Sequence, residues 1–275
     1  MAVYTLANNP ELLEMVDLIP NVVYAAPDGE ELAMQILKPR WSSGGKGFPL
    51  VLFIQGSGWT KPKQFLQLPQ LSLLARRGFV IASVTHRSAH TAPAPAFLKD
   101  VKAALRFLRA HAADYDIDQE RVCALGTSSG ANAAMLLAFT ADDPAFETED
   151  WAGHSTAVQA VVSCAGPTDI ELLIRDREPE KKLPALTCHQ DPERMNMISP
   201  LQYVKPGLKL PPFLILHGDH DPVVPFEQAE LFYDKLIQHG YQADLVRVTN
   251  APHGDSFWSL PLFETIFAFV VSELG

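Results

Sequence analysis

Short apolar runs alternate with amphipathic segments along the chain from residue 49 onward. Such mostly uninterrupted runs are typical of strands that are buried on both faces of a parallel sheet. They cover residues 49–55, 79–85, 121–125, 157–163, 212–216 and 243–248. Between them, the spacing of apolar residues predicts helices over 69–77, 97–113, 131–140, 227–239 and 256–274. This alternation predicts an α/β fold in which crossover helices on both faces join the parallel strands.

The N-terminal part of the chain follows a different pattern. Two short strand candidates, 21–26 and 31–37, flank a Pro-Asp-Gly turn at 27–29. This arrangement predicts an antiparallel hairpin at one edge of the mostly parallel sheet. An Asn-Pro pair at 9–10 resembles a helix N-cap with proline in the first turn, so a short helix is predicted over 9–16.

One long segment, 167–211, has no clear periodicity and is rich in charge and proline. We interpret it as a small inserted cap or lid over the strand ends. The length of 275 residues suits one α/β domain. The expected organisation is therefore a single domain, 1–275, that carries the cap as an insertion.

Composition and charge narrow the function classes. Hydrophobic residues make up 47% of the chain, which is ordinary for a globular protein, and the formal net charge is -10. The negative charge argues against binding to nucleic acid or to an anionic membrane surface. No apolar stretch is long enough to span a membrane. The start of the chain lacks the basic region of a secretory signal, so a cytoplasmic protein is expected; a signal removed from this sequence stays an alternative.

The three cysteines are too few to build a disulfide framework. Cys123 and Cys164 lie in apolar runs, so both are expected to be core residues. The third, Cys188, lies in the segment interpreted as the cap.

The pentad Gly-Thr-Ser-Ser-Gly at 126–130 stands between the apolar run 121–125 and the predicted helix 131–140. A sharp turn from strand to helix holds the middle serine, Ser128, with its hydroxyl exposed. The flanking glycines allow the strand and the helix to pack closely. Taken alone, the pentad also fits a plain helix-starting turn with Ser128 or Ser129 as N-cap.

Distant strand ends decide between these interpretations. Ligands bind at the carboxyl ends of the strands in an open parallel sheet. A serine nucleophile needs a base such as histidine, and a carboxylate must orient that histidine. Asp221 and His253 follow two later predicted strands. The order serine, aspartate, histidine is that of the α/β-hydrolase fold. We therefore predict that Ser128, Asp221 and His253 form a catalytic triad.

The sequence offers a second acid, Asp219, and this alternative stays open. Asp221 is preferred because a stiff Pro-Val-Val-Pro turn at 222–225 follows it, whereas Asp219 is expected to shape the turn. Of the neighbouring histidines, His217 is expected to be structural and His220 to be exposed. His86, at another strand end, is also expected to be structural. Its neighbour Arg87 is predicted to pair with Asp100 on the next helix.

An oxyanion hole requires two N–H donors near the nucleophile. One is expected from Ser129, the residue after the nucleophile, and the other from the Gly-Ser-Gly loop after the first central strand. That loop offers Ser57 or Gly58 as the donor. Trp59 then lies near the acyl or alcohol pocket and is predicted to contact substrate.

These motifs together resemble those of α/β-hydrolase serine esterases, and in particular the small bacterial carboxylesterases that include acetyl-xylan and feruloyl esterases. The resemblance extends from the N-terminal hairpin to the last helix. That family usually shows His-Gly-Gly-Gly-Trp where this chain has Gln55 in place of histidine and Ser57 in place of the middle glycine. Family members also often carry alanine where Ser129 stands and tyrosine where His86 stands.

The resemblance implies a carboxylic ester hydrolase acting on small acyl esters, with acetyl or hydroxycinnamoyl groups of plant polysaccharide fragments as candidate substrates. Its expected partner is a small-molecule or oligosaccharide ester, and no cofactor or metal is expected. An arylformamidase or small serine peptidase with the same triad is the nearest alternative. An inactive hydrolase fold that serves as a binding module is the alternative of another class. A monomer and a homodimer both fit the sequence.

Overall fold

The computed structural model describes residues 1–141, 143–175 and 191–275. Its centre is an eight-stranded sheet. The strands are β1 Val16–Ala25, β2 Leu32–Pro39, β3 Phe48–Ile54, β4 Val80–Val84, β5 Ile117–Thr127, β6 Ala160–Cys164, β7 Phe213–Gly218 and β8 Ala243–Val248. The helices are α1 Leu68–Ala75, α2 Ala96–Ala110, α3 Ala112–Tyr115, α4 Ser129–Thr140, α5 Ile170–Arg175, α6 Pro192–Met197, α7 Pro200–Tyr203, α8 Glu227–Gln238 and α9 Leu260–Leu274.

The strand order across the sheet is β1-β2-β4-β3-β5-β6-β7-β8. β1 pairs antiparallel with β2, and β2 pairs antiparallel with β4. The remaining neighbours, from β4 to β8, are parallel. The predicted mostly parallel sheet with an N-terminal antiparallel hairpin at its edge is thus confirmed.

Both faces of the sheet are covered, as the uninterrupted apolar runs require. Alternate residues of β3 enter different cores: Leu50 and Leu52 pack into the core that includes α2, α4 and α8. Val51 and Phe53 pack into the core that includes α1 and α9. All four side chains are buried, because a strand with helices above and below it exposes neither face.

The helix predicted over 9–16 is wrong. Leu12 and Glu14 have positive φ angles of 56° and 62°, which a right-handed helix excludes, and the chain makes turns there instead. β1 then begins at Val16, five residues before the predicted strand. Pro20 and a register shift between Ile19 and Val22 interrupt its pattern, and an edge strand tolerates both.

The segment predicted as a cap, 167–211, lies between β6 and β7. Its described part contains three short helices, α5, α6 and α7, whose lengths are too small to give a clear periodicity. Residues 176–190, and with them Cys188, lie outside the described residues. The cap and the single-domain organisation therefore stay predictions.

Two further sequence expectations can be compared with the structure. Cys123 and Cys164 are buried core residues, as predicted, and burial raises the pKa of both thiols. Among the described residues, no helix combines the length and the apolar character that crossing a bilayer requires.

Candidate active site

Ser128 lies on a sharp bend between the end of β5 and the start of α4. Its φ and ψ angles are 51° and −124°, a conformation that residues other than glycine rarely adopt. The bend is held by a hydrogen bond from Ser128 N–H to Cys164 O on β6, at 2.8 Å. Glycine is required on either side: a Cβ at Gly126 would overlap the Gly130 backbone, and one at Gly130 would overlap Ile54 O. The predicted strand-to-helix bend is present.

The structure brings the three predicted catalytic residues into one chain of hydrogen bonds. His253 Nε2 lies 3.0 Å from Ser128 Oγ, and His253 Nδ1 lies 2.6 Å from Asp221 Oδ2. Asp221 follows β7 and His253 follows β8, so neighbouring parallel strands deliver them to the same edge as Ser128. These distances suit proton transfer from serine to histidine and orientation of the ring by the carboxylate.

The Asp221 side chain is buried and held on both oxygens. Oδ1 accepts the N–H groups of Val223 and Val224, each at 2.8 Å. Oδ2 faces His253 and, at 3.4 Å, the Nε2 of His217. Burial alone would raise the pKa of Asp221, but the hydrogen bonds from His217, His253 and Val224 outweigh it and hold this pKa well below its usual range. The carboxylate is therefore charged at neutral pH.

Asp219 occupies a different role from Asp221. Its Oδ1 accepts a hydrogen bond from His220 Nδ1 at 2.8 Å and one from Asn250 N–H at 2.6 Å. It links the loops after β7 and β8. Among the described residues, no hydrogen bond joins Asp219 to His253. His220 is exposed over 66% of its side chain, as predicted.

His217 and His86, both expected to be structural, are buried. Nε2 of His217 donates to Val224 O at 2.8 Å, so this ring carries its proton on Nε2 in the neutral form. His86 is 1% exposed, and burial lowers its pKa. The predicted ion pair beside it is present, with Arg87 Nη2 at 2.8 Å from Asp100 Oδ1.

The loop after β3, residues 55–60, packs against the bend that carries Ser128; we call it the oxyanion loop. Gly56 N–H donates to Thr127 Oγ1 at 2.7 Å, and Ser57 N–H donates to Ser129 Oγ at 2.9 Å. Gly58 follows with a φ of +60°. The N–H groups of Gly58 and Ser129 have no acceptor among the described residues. Of the two alternatives for the loop donor, Gly58 thus has its amide open, whereas that of Ser57 is engaged.

A cavity of about 590 Å³ opens beside Ser128 and His253. Trp59 lines it as predicted, although only 2% of this residue is exposed, and its Nε1 donates to Asn132 Oδ1 at 3.4 Å. The apolar and aromatic part of the lining includes Leu66, Leu173, Val223, Val224, Phe257 and Trp258, and three glutamines, Gln55, Gln67 and Gln70, also line the cavity. A pocket of this size and lining is typical of binding sites for small molecules.

The chain also matches a known protein family. The BD-FAE family model matches residues 34–236, which include the oxyanion loop, the Ser128 bend and Asp221. The chain belongs to the BD-FAE family. Among curated relatives, Esterase LipC of Mycobacterium tuberculosis is 32% identical over 221 residues, which cover 76% of this chain and 53% of that protein. The chain spans about half the length of the curated relatives it matches.

Solved structures of esterases share the fold of this chain. A butyrate-bound esterase 2 of Thermogutta terrifontis has a TM-score of 0.78 and 25% identity, covering 96% of this chain and 94% of that chain. A truncated carbohydrate esterase from gut microbiota has a TM-score of 0.79 and 24% identity, covering 96% and 98% respectively. The α/β-hydrolase fold predicted for this BD-FAE member, and its resemblance to bacterial esterases, are confirmed.

Sequence reasoning missed several residues of this BD-FAE site. The hydroxyls of Thr127 and Ser129 hold the oxyanion loop, and their positions beside Ser128 were the available signal. His217 touches the acid, which its place at the end of β7 could have suggested. No sequence pattern indicates Asn132 or Trp258, because their contacts depend on how distant segments pack.

The described residues contain no group of three or more His, Cys, Asp or Glu side chains that could hold a metal ion. The polar side chains that line the cavity include the hydroxyl of Ser128, the imidazole of His253 and the carboxamides of Gln55, Gln67 and Gln70. The hydroxyl and the imidazole are groups that acyl transfer through a serine nucleophile uses.

Proposed function

We propose that this chain is a serine-dependent carboxylic ester hydrolase that works through an acyl-enzyme. The observation that carries the proposal is the chain of hydrogen bonds from Ser128 Oγ through His253 to Asp221, at 3.0 and 2.6 Å, beside the cavity. Relatives that are named esterases support the reaction class.

In the first half of the reaction, Ser128 Oγ attacks the ester carbonyl carbon while His253 Nε2 takes the hydroxyl proton. The imidazolium that forms is stabilised by the Asp221 carboxylate, which also keeps the Nδ1–H of His253 in place. Collapse of the tetrahedral intermediate breaks the bond to the alcohol, and His253 gives its proton to that leaving oxygen. In the second half, His253 activates a water molecule that releases the acid and restores Ser128.

The negative oxygen of each tetrahedral intermediate needs donors that are already oriented. We assign this role to the amides of Ser129 and Gly58, since both are open and lie on the bend and on the loop beside it. Donors that are fixed in advance lower the barrier because they need no reorganisation during the reaction.

Small acyl esters are the proposed substrate class, with acetyl or feruloyl groups of plant polysaccharide fragments as the candidates. Two observations support a small acyl group: the modest cavity, and the solved Thermogutta terrifontis esterase 2 structures, which are described as propionate bound and butyrate bound. The neighbour from gut microbiota is named a carbohydrate esterase, which supports a sugar as the alcohol portion.

The test is hydrolysis of 4-nitrophenyl acetate by the protein and by Ser128→Ala. Removal of the hydroxyl deletes the nucleophile, so the rate should fall by about 10⁴-fold or more. A circular-dichroism spectrum and a melting curve control for folding. Full activity in a folded Ser128→Ala protein would reject the proposal.

A substrate panel separates esters from amides. We expect acetyl and feruloyl esters to be cleaved faster than aryl formamides or aminoacyl 4-nitroanilides. Preference for formamides would move the assignment to an arylformamidase, and preference for aminoacyl amides would move it to a small peptidase.

A further inference from the structure

The two residues that flank the nucleophile each hold one amide of the oxyanion loop. Thr127 Oγ1 accepts the Gly56 N–H at 2.7 Å, and Ser129 Oγ accepts the Ser57 N–H at 2.9 Å. Two successive loop amides therefore bind the two hydroxyls on either side of Ser128. We call these two hydrogen bonds the hydroxyl clamp.

The clamp lies where solvent has little access. Thr127 is 7% exposed and Ser129 2% exposed. A Cβ at Gly56 would overlap Thr127 O and Ser128 Cβ, so the loop backbone packs directly on the bend. The Thr127 side of the clamp borders the cavity, whereas Ser129 is not part of the cavity lining.

The remainder of the oxyanion loop is closed on itself. Ser57 Oγ donates to Thr60 O at 2.6 Å, and Thr60 Oγ1 donates to Ser57 O at 2.7 Å. Gly58 and Trp59 lie inside this closed turn, and both have a φ of 60°. Fixing the amides of Gly56 and Ser57 at the base of the turn thus also fixes the direction of the Gly58 N–H.

We propose that Thr127 and Ser129 are positioning residues whose side-chain hydroxyls set the distance between the Gly58 amide and Ser128. This inference rests on the proposed function and deepens it. The clamp also explains why the loop donor is Gly58: the hydroxyl of Ser129 engages the neighbouring amide, that of Ser57. Each hydroxyl is assigned to a loop amide and not to the substrate carbonyl.

Loss of the clamp should slow the chemical step more than it weakens substrate binding. The oxyanion exists only after attack, so its donors contribute to the transition state and little to the ground state. A displacement of about 1 Å in a catalytic group can cost about 100-fold in rate. If the two hydroxyls had only a structural role, their loss would lower the stability of the protein without a selective fall in kcat.

The experiment compares Thr127→Val, Ser129→Ala and the double variant on 4-nitrophenyl acetate. It also measures the Ki of a trifluoromethyl ketone, which forms a tetrahedral oxyanion adduct, and the Ki of acetate, which does not. Thr127→Ser is the conservative variant. Thr156→Val is the matched control, because Thr156 is a buried threonine, 1% exposed, whose hydroxyl donates to Ala141 O at 2.9 Å outside the cavity lining.

We expect kcat of the double variant to fall by about 100-fold, with KM and the acetate Ki changed by less than about threefold. Binding of the trifluoromethyl ketone should weaken in parallel with kcat. Each single variant should lie between the double variant and the wild type, Thr127→Ser should retain most of the activity, and Thr156→Val should match the wild type.

Three results would overturn the proposed role of the clamp. The first is a folded double variant that keeps the kcat and the ketone affinity of the wild type. The others are a loss of kcat in Thr156→Val equal to that of the double variant, and an effect of the double variant on KM alone. Should the double variant not fold, the single variants decide by the same criteria. These failures differ from failure of the proposed function, in which the wild-type protein itself neither cleaves the ester nor binds the ketone.

Discussion

The Asp221 carboxylate is buried, yet it accepts the N–H groups of Val223, Val224 and His253 and lies 3.4 Å from His217 Nε2. This combination explains how a charge persists at the base of the site. It also distinguishes the two candidate acids, because Asp219 directs its bonds to the neighbouring turn. The sequence could favour Asp221 from the stiff turn that follows it, but the contribution of His217 depends on packing.

Replacing the acid should affect the reaction strongly while keeping the shape of the site. Asp221→Asn can still accept the amides of Val223 and Val224, but it no longer stabilises the imidazolium. We expect kcat to fall by about 10⁴-fold at neutral pH. Asp219→Asn is the matched control and should retain activity within about tenfold. The opposite ranking in steady-state assays would identify Asp219 as the acid.

The depressed pKa of Asp221 also predicts a pH effect on stability. A carboxyl whose pKa is lower in the folded state than in the unfolded state, where it is about 3.9, stabilises the fold above that value. This contribution is lost as the pH falls from about 4 towards the folded pKa. Urea unfolding should therefore show the stability difference between the wild type and Asp221→Asn shrinking between pH 7 and pH 3. A constant difference would contradict the linkage.

The helix α4 joins the nucleophile to two other parts of the site. Asn132, one turn after Ser128, is fully buried and donates from Nδ2 to Pro167 O at 3.0 Å and to Ile198 O at 2.9 Å. These carbonyls lie on either side of α5 and α6. Its Oδ1 accepts from the indole of Trp59. One side chain thus connects the nucleophile helix, the oxyanion loop and two points of the segment predicted as a cap, its first residue Pro167 and Ile198.

Removal of this carboxamide should destabilise the protein. Asn132→Ala leaves the buried carbonyls of Pro167 and Ile198 without these donors, which should cost about 1–3 kcal/mol. Asn196→Ala, at an exposed position on α6, is the control and should change stability by less than about 0.5 kcal/mol. Urea denaturation of the two variants provides the comparison, and equal effects would refute the special role of Asn132.

Most of the sheet could be predicted because its strands are buried on both faces and read as unbroken apolar runs. β1 was the exception: an edge strand with Pro20 and a register shift has no such run. The ends of β5 and β8, together with the loop after β7, supplied the triad in the order expected for the fold. The oxyanion loop and Asn132 depend on hydrogen bonds between distant segments, which periodicity does not encode.

Across the molecule, the strand order and the family membership agree with the proposed ester hydrolase. The chain covers about half the length of its curated relatives, so their substrates are hypotheses for this protein. Every substrate of the proposed reaction must carry an acyl group that becomes covalently attached to Ser128.

The most direct measurement of that claim is active-site labelling with a fluorophosphonate, followed by peptide mass spectrometry. The wild-type protein should take up one phosphonyl group per chain, located on Ser128, and Ser128→Ala should take up none. Neighbouring Ser129→Ala should still be labelled on Ser128. An unlabelled wild-type protein, or a label on another residue, would contradict the account and favour a hydrolase fold that serves only to bind.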